Sequence, residues 1–249
     1  MKVTIAEWEM RNLGGETLEI LIESGDDVMS IVSQVDLLRA RYKAEYLVVK
    51  VNTKFHKISE TFQKAGFLLI ENQISLRLPR IEALEKKNFY KKIYQDVTFQ
   101  LIENEQDVEN IKHKIKEGIF TTDRIAIDSY YGIEIANTRY ANWVQDEVDK
   151  GSLLYFVIYQ NKKIGFFLSK PINNKLQYGL LGGFFLQYSD AALGSMMDYC
   201  MICEFITSER KFMETAVSSN NLVILQLHLL FGYKIKAMTN ILIKHYKRG

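Results

Sequence analysis

Two prolines in 249 residues exclude a proline-rich or collagen-like chain, and fourteen scattered glycines exclude a long flexible linker. Two cysteines are too few for a disulfide framework, so a reducing, cytoplasmic setting is the expectation. An excess of one charge is also missing: 32 Lys and Arg stand against 30 Asp and Glu, a formal net charge of +2. A balance this close argues against nucleic acid and against a membrane surface as partners. No apolar run approaches the roughly 20 residues that span a bilayer. The opening Met1-Lys2-Val3-Thr4-Ile5-Ala6-Glu7 lacks the apolar stretch of a secretion signal. What is present is an ordinary globular composition, 47% hydrophobic and 25% charged, sufficient for one large domain or two modest ones.

Short β-patterned runs alternate with helical ones, which predicts an α/β or α+β fold. Strands are expected over 17–22, 46–51, 68–78, 98–101, 153–159, 163–168, 177–185, 212–217 and 234–244, and helices over 27–42, 57–65, 105–118, 133–150, 193–208 and 221–231. The segment 82–96 has no clean period and reads as a connector between two units.

A weak repeat organises the chain. Val51-Asn52-Thr53 precedes a helix, then Gly66-Phe67 and a strand; Val217-Ser218-Ser219 precedes a helix, then Gly232-Tyr233 and a strand. Each reads as strand, polar turn, helix, glycine C-cap and strand. Spacing alone leaves open a duplication or two ordinary β-α-β units. Phe55 and Phe62 of the first copy stand where the second has Asn221 and His228, so a duplication would make the second copy the functional one.

The strongest local signal is Gly182-Gly183-Phe184-Phe185, followed by Leu186 to Asp190 and then Ala191-Ala192-Leu193-Gly194. Paired glycines inside an apolar strand mark a bulge or a close backbone approach. Small residues at a helix start leave its first N–H groups open to an anion such as phosphate. A plain strand-turn-helix crossover, with small residues for packing, is the competing reading. Cys200-Met201-Ile202-Cys203 stands alone inside a helix, away from the partners a zinc or redox site needs, and reads as core. Asp123, Arg124 and Asp128 form either a salt-bridged turn or a grip on a sugar amine or pyrophosphate. Arg139, Tyr140 and Trp143 share a helical face, which either lines a pocket or anchors the helix.

On these segments the chain resembles the Gcn5-related N-acetyltransferase (GNAT) superfamily, in particular its branch acting on TDP-linked amino sugars such as TDP-fucosamine. The superfamily's pyrophosphate motif, Gln/Arg-x-x-Gly-x-Gly/Ala, falls on Ser189 to Gly194, with Ser189 for Gln/Arg, Ala192 for the first glycine, and Gly194 kept. Thr122 to Asp128, with Arg139, Tyr140 and Trp143, resembles the amino-sugar branch, and Val217 to Tyr233 resembles the superfamily's closing strand, helix and strand. Residues 64–79 are similar to the end of a truncated extra domain. The resemblance implies a mixed, mostly antiparallel twisted sheet flanked by helices. A partial, non-catalytic unit over 1–95 would precede a catalytic domain over 96–249.

The resemblance further implies direct acetyl transfer from acetyl-CoA, without metal, to the amine of a nucleotide-linked sugar destined for a surface glycan. Gly183, Phe184, Phe185, Ser189, Ala191, Ala192, Leu193, Gly194 and Asn221 would hold coenzyme A, with an oxyanion donor among the amides of 183–185. Arg124, Asp128, Arg139, Tyr140 and Trp143 would bind the acceptor. In that family a tyrosine seven residues after the asparagine often protonates the departing thiolate. Counting from Asn221 gives His228, whose side chain can carry a proton near neutrality. A hydrogen-bonded core histidine, and an Asn221 that only caps its helix, are the plainer readings. The competing function classes are a non-catalytic binder that keeps the fold and an acyltransferase using another amine or a longer acyl group. Assembly is left open between a monomer and a homodimer.

Overall fold

A computed structural model describes residues 1–188 and 194–246. Among these residues one continuous sheet of ten strands runs in the order β1-β2-β3-β10-β4-β9-β8-β7-β6-β5. The strands are β1 (Lys2–Ile5), β2 (Thr17–Leu21), β3 (Tyr46–Asn52), β4 (Leu68–Pro79), β5 (Val97–Leu101), β6 (Leu153–Tyr159), β7 (Lys162–Pro171), β8 (Leu176–Phe184), β9 (Phe212–Ser218) and β10 (Lys234–His245). Only β2–β3 and β8–β9 pair in parallel. Each parallel pair is joined by a crossover helix, α2 (Ile31–Tyr42) or α8 (Gly194–Thr207), as parallel pairing requires. The fold is thus mixed α/β with a mostly antiparallel sheet flanked by helices.

The two repeat copies are β3–α3–β4 and β9–α9–β10, with α3 at His56–Lys64 and α9 at Leu222–Leu230. Their last strands are exchanged: β10 lies between β3 and β4, and β4 lies between β10 and β9. The copies are offset by 166 residues (217 − 51 and 232 − 66). Applying that offset turns every β10–β3 pair into a β4–β9 pair, so Thr239↔Asn52 becomes Gln73↔Ser218 and His245↔Tyr46 becomes Pro79↔Phe212. Loop bonds follow the same rule. Thr53 donates its N–H to Met238 O at 3.1 Å, and Ser219 donates to Asn72 O at 2.8 Å. The Gln73↔Thr239 pair maps onto itself and marks a local two-fold axis. The two units share one register under a local two-fold relation, the arrangement a duplicated unit would give.

Glycine ends both repeat helices for the expected reason: Gly66 and Gly232 have φ of 84° and 91°, conformations that a side chain would strain. The segment expected to be a connector instead begins with helix α4 (Arg80–Tyr90). Ala83 and Tyr90 face the core while Ile81, Leu84 and Phe89 are exposed, so apolar residues on both faces hide the helical period. β1 and α1 (Glu7–Leu13) are likewise additions to the expected elements. The turn expected at 123–128 is a one-turn helix, α6 (Arg124–Ile127), capped by the Asp123 side chain. Helices α5 (Glu105–Lys116) and α7 (Ile133–Asp149) complete the set.

Candidate functional site

The parallel pair β8–β9 holds for three residue pairs only, from Leu176↔Phe212 to Tyr178↔Glu214. Beyond that point β8 stays with β7 and β9 stays with β4, so the sheet splits. The Thr215 hydroxyl donates to Gly179 O at 2.9 Å and closes the apex of the split. A cavity of about 580 Å³ begins here, between backbone and small residues of β8 (Gly179, Gly182), the β9 residues Thr215 to Ser218, and the helices α8 and α9. The Phe185 N–H donates to Ile164 O at 3.0 Å. By strand alternation, Gly183 also faces β7, while the backbone groups of Gly182 and Phe184 face the split. That removes Phe185 from the candidate oxyanion donors, and its buried ring belongs to the core beneath α5 and α7. Gly183 packs against Ile119 and Phe120 and does not line the cavity.

In the first copy the matching strands never part. β2 and β3 remain paired from Thr17↔Tyr46 to Leu21↔Lys50, and Ile22 N–H continues the ladder to Lys50 O at 2.9 Å. The residue matching His228 is Phe62, fully buried and edge-on to Phe67 at 5.0 Å.

His228 lines the cavity from α9, and its Nδ1 lies 2.6 Å from Asp198 Oδ1 on α8. Both side chains are buried. The carboxylate fixes the ring through Nδ1, and no partner engages Nε2 among the described residues. Tyr233 packs on the ring at 4.8 Å. Asn221 also borders the cavity, and its side chain accepts the Ile224 N–H at 3.3 Å, so it does cap α9. Gly194 opens the described part of α8, where an added Cβ would lie 2.7 Å from Leu227 Cδ1. Ser189, Ala191, Ala192 and Leu193 lie outside the described residues.

The cavity continues past the end of β9 into a polar chamber bordered by Trp8 on α1 and Trp143 on α7. Arg139 and Tyr140 line it from α7, Asp123 and Arg124 from α6 and its cap, and Glu71 from β4. The guanidiniums are engaged by the protein itself. Arg139 Nε donates to both Glu9 oxygens at 2.9 and 2.8 Å, and Arg124 donates to Glu9 at 2.8 Å and to Glu19 at 3.2 Å. Lys50 holds the other Glu19 oxygen at 2.7 Å. Burial pushes the Glu9 carboxyl up, but Arg139 and Arg124 outweigh it and hold the group below the ordinary range. The sequence separates the arginines from these carboxylates by 105 to 130 residues, and no local pattern signals Glu9 or Glu19.

One candidate falls elsewhere, and Cys200 is the core residue its setting implies. Asp128 does not border the cavity; its carboxylate accepts the Tyr130 N–H and pairs with His245 Nε2 at 2.8 Å. Its extended backbone after the end of α6 lets it reach His245 on β10. Cys200 is buried in the core, which pushes its thiol far above the ordinary range and leaves it unreactive.

No protein-family model matches the chain, and no curated protein matches it in sequence. Solved structures do match. A GCN5-related N-acetyltransferase from Sphaerobacter thermophilus superposes with a TM-score of 0.62 at 10% identity, covering 100% of this chain and 76% of its own. A GCN5-related N-acetyltransferase from Kribbella flavida gives 0.60 at 11% identity, covering 93% and 82%. The tandem GNAT protein of the clavulanic acid biosynthesis pathway gives 0.56 at 10% identity, covering 94% and 76%. A conserved protein of unknown function from Staphylococcus epidermidis gives 0.64 at 11% identity, covering 93% and 85%. At these identities the likeness is one of architecture: the chain has the fold of GCN5-related N-acetyltransferases along almost its whole length.

Proposed function

We propose that the chain is an acyl-CoA-dependent N-acetyltransferase, working from the cavity at the β8–β9 split. The split itself carries the reading: it is open in the second copy and closed in the first. An opened parallel pair offers unpaired backbone edges to an extended ligand, as in strand addition. The pantetheine arm of acetyl-CoA, an extended chain carrying amides, is such a ligand. Its pyrophosphate would lie at the start of α8, near Gly194, with Asn221 beside the arm.

The thioester carbonyl develops negative charge during attack; in this reading a β8 amide facing the split stabilises it. Strand alternation leaves the Phe184 N–H as the candidate, although Phe184 does not itself line the cavity. In this reading His228, oriented by Asp198, gives the thiolate its proton from Nε2. Neither cysteine lines the cavity, so the acetyl group passes directly to the amine.

The acceptor chamber is bounded by Tyr140 and Trp143, whose rings lie 6.0 Å apart, and by the Asp123–Arg124 cap. A nucleotide-linked amino sugar is the acceptor class suggested by the sequence resemblance. Arg124 and Arg139 are paired with Glu9 and Glu19 and do not clamp its pyrophosphate, which would lie at the mouth near the exposed Lys150. Both guanidiniums are held by buried carboxylates, although Arg124 Nε is buried without a hydrogen-bond partner, and a compact non-sugar amine is the second acceptor class. Release of free thiol from acetyl-CoA, screened over TDP- and UDP-amino sugars and simple amines, tests both. Thiol release with no acceptor, despite acetyl-CoA binding, identifies a binder that has kept the fold.

A further inference from the structure

Resting on that reading, we infer that Glu71 is the carboxylate that receives a cationic primary amine in the polar chamber and takes its proton. Glu71 sits on β4, the strand that the first copy lends to the second, opposite Ile241 of β10 and two residues before Gln73↔Ser218. It lines the cavity where the split meets the acceptor chamber. Its Oε2 is buried with no hydrogen-bond partner, among few such atoms in the described residues. A buried unpartnered carboxylate oxygen is costly, and a cation entering the chamber relieves that cost.

The surrounding charges are already matched without it. Glu9, Glu19 and Asp123 answer Arg124, Arg139 and Lys50. Glu71 is then the one excess negative group of the cluster. The groups facing it are the Ser218 hydroxyl on β9, Asp123 and Arg124 at α6, and Arg139 and Tyr140 on α7. Burial pushes the Glu71 carboxyl up, against the Ser218 hydroxyl and the Arg124 charge, which makes it a stronger proton acceptor than an exposed glutamate.

The balance closes as follows. The Glu71 carboxylate takes one proton from R–NH3⁺. The freed nitrogen lone pair forms the C–N bond at the thioester carbonyl, whose π electrons move to oxygen. Those electrons return as the C–S bond breaks and sulfur leaves as thiolate. His228 protonates the thiolate and recovers a proton from the acylated nitrogen. Glu71 releases its proton to water with the products.

The test uses the full chain, wild type and Glu71→Gln, with acetyl-CoA and three probe amines: L-lysine, 1,4-diaminobutane and D-glucosamine. Thiol release is followed from neutral to alkaline pH, with calorimetric acetyl-CoA binding and melting temperature measured alongside. Glu71→Gln should bind acetyl-CoA as the wild type does, melt no lower, and turn over about 10²-fold more slowly at neutral pH. Its deficit should shrink as pH approaches about 10, where an alkylammonium deprotonates unaided. A deficit independent of pH, or wild-type turnover at neutral pH, overturns the assignment. So does a wild-type chain that binds acetyl-CoA yet acetylates none of the three amines. A wild-type chain that does not bind acetyl-CoA overturns the acetyltransferase reading itself, and this assignment with it.

Discussion

Leu76 on β4 and Leu242 on β10 stand at equivalent positions of the two copies, and each is buried in the core of the other copy. Leu76 packs with Met213, Phe231 and Tyr233 of the second half, and Leu242 packs with Val49, Ile58 and Phe62 of the first. Strand exchange therefore ties the two cores into one folding unit. Leu242→Ala should destabilise the protein by about 2–5 kcal/mol. Hydrogen exchange should show protection lost together from β3 and β9 amides. A mutant that loosens β2 and β3 while β8 and β9 keep full protection would show two independent domains.

The ion cluster behind the acceptor chamber carries a second expectation. Glu9→Gln leaves Arg139 and Arg124 without their shared carboxylate, and urea unfolding should show a loss of about 3–5 kcal/mol. The sign of the pH dependence follows from the direction of the shift. Glu9 and Glu19 are held below the ordinary value in the fold. Their contribution is present above about pH 4.3, the unfolded value, and is lost as pH falls through the folded ones. Stability should drop with acid below that point in the wild type, and less steeply in Glu9→Gln.

Glu71 has the opposite sign, since burial raises it in the fold. Below about pH 4.3 it is neutral in both states. As pH rises, the unfolded chain ionises first and stability is lost through the folded value. Glu71→Gln should therefore raise the melting temperature at neutral pH and leave it unchanged in acid. An equal gain at both pH values would trace to packing alone.

His228→Phe should reduce turnover by about 10²–10⁴-fold with acetyl-CoA affinity unchanged, because the ring acts as sulfur departs. His228→Tyr should recover part of the rate, since a phenol can also give the departing thiolate a proton. Wild-type turnover in a folded His228→Phe chain would make the His228–Asp198 pair a core contact only.

Much of this was legible in sequence where the information is local. Alternating apolar residues located β2 to β10 and the long helices, and the glycine spacing exposed the repeat. The contrast of Phe62 with His228 pointed to the second copy before any geometry was known. The exchange of β4 and β10 was not legible, because both orders bury the same alternating faces. Asp198 was hidden as one of two acids, with Glu204, in an otherwise apolar helix, and nothing local pairs it with His228 thirty residues on. Arg124 and Arg139 drew attention correctly, but as substrate ligands: their carboxylates lie over a hundred residues away, beyond the reach of local pattern. Asp128 was read with Arg124 because the two are four residues apart, whereas the one-turn helix and the bend after it turn them to different sites.

The most direct measurement is calorimetric titration of acetyl-CoA into the wild-type chain and Gly194→Glu. Added bulk and negative charge at the start of α8 fall where the pyrophosphate is proposed to lie. Saturable one-to-one binding to the wild type, abolished in a Gly194→Glu chain that still folds, is the expected result. Absence of binding to the wild type, or equal binding to both, would contradict a coenzyme site at the β8–β9 split.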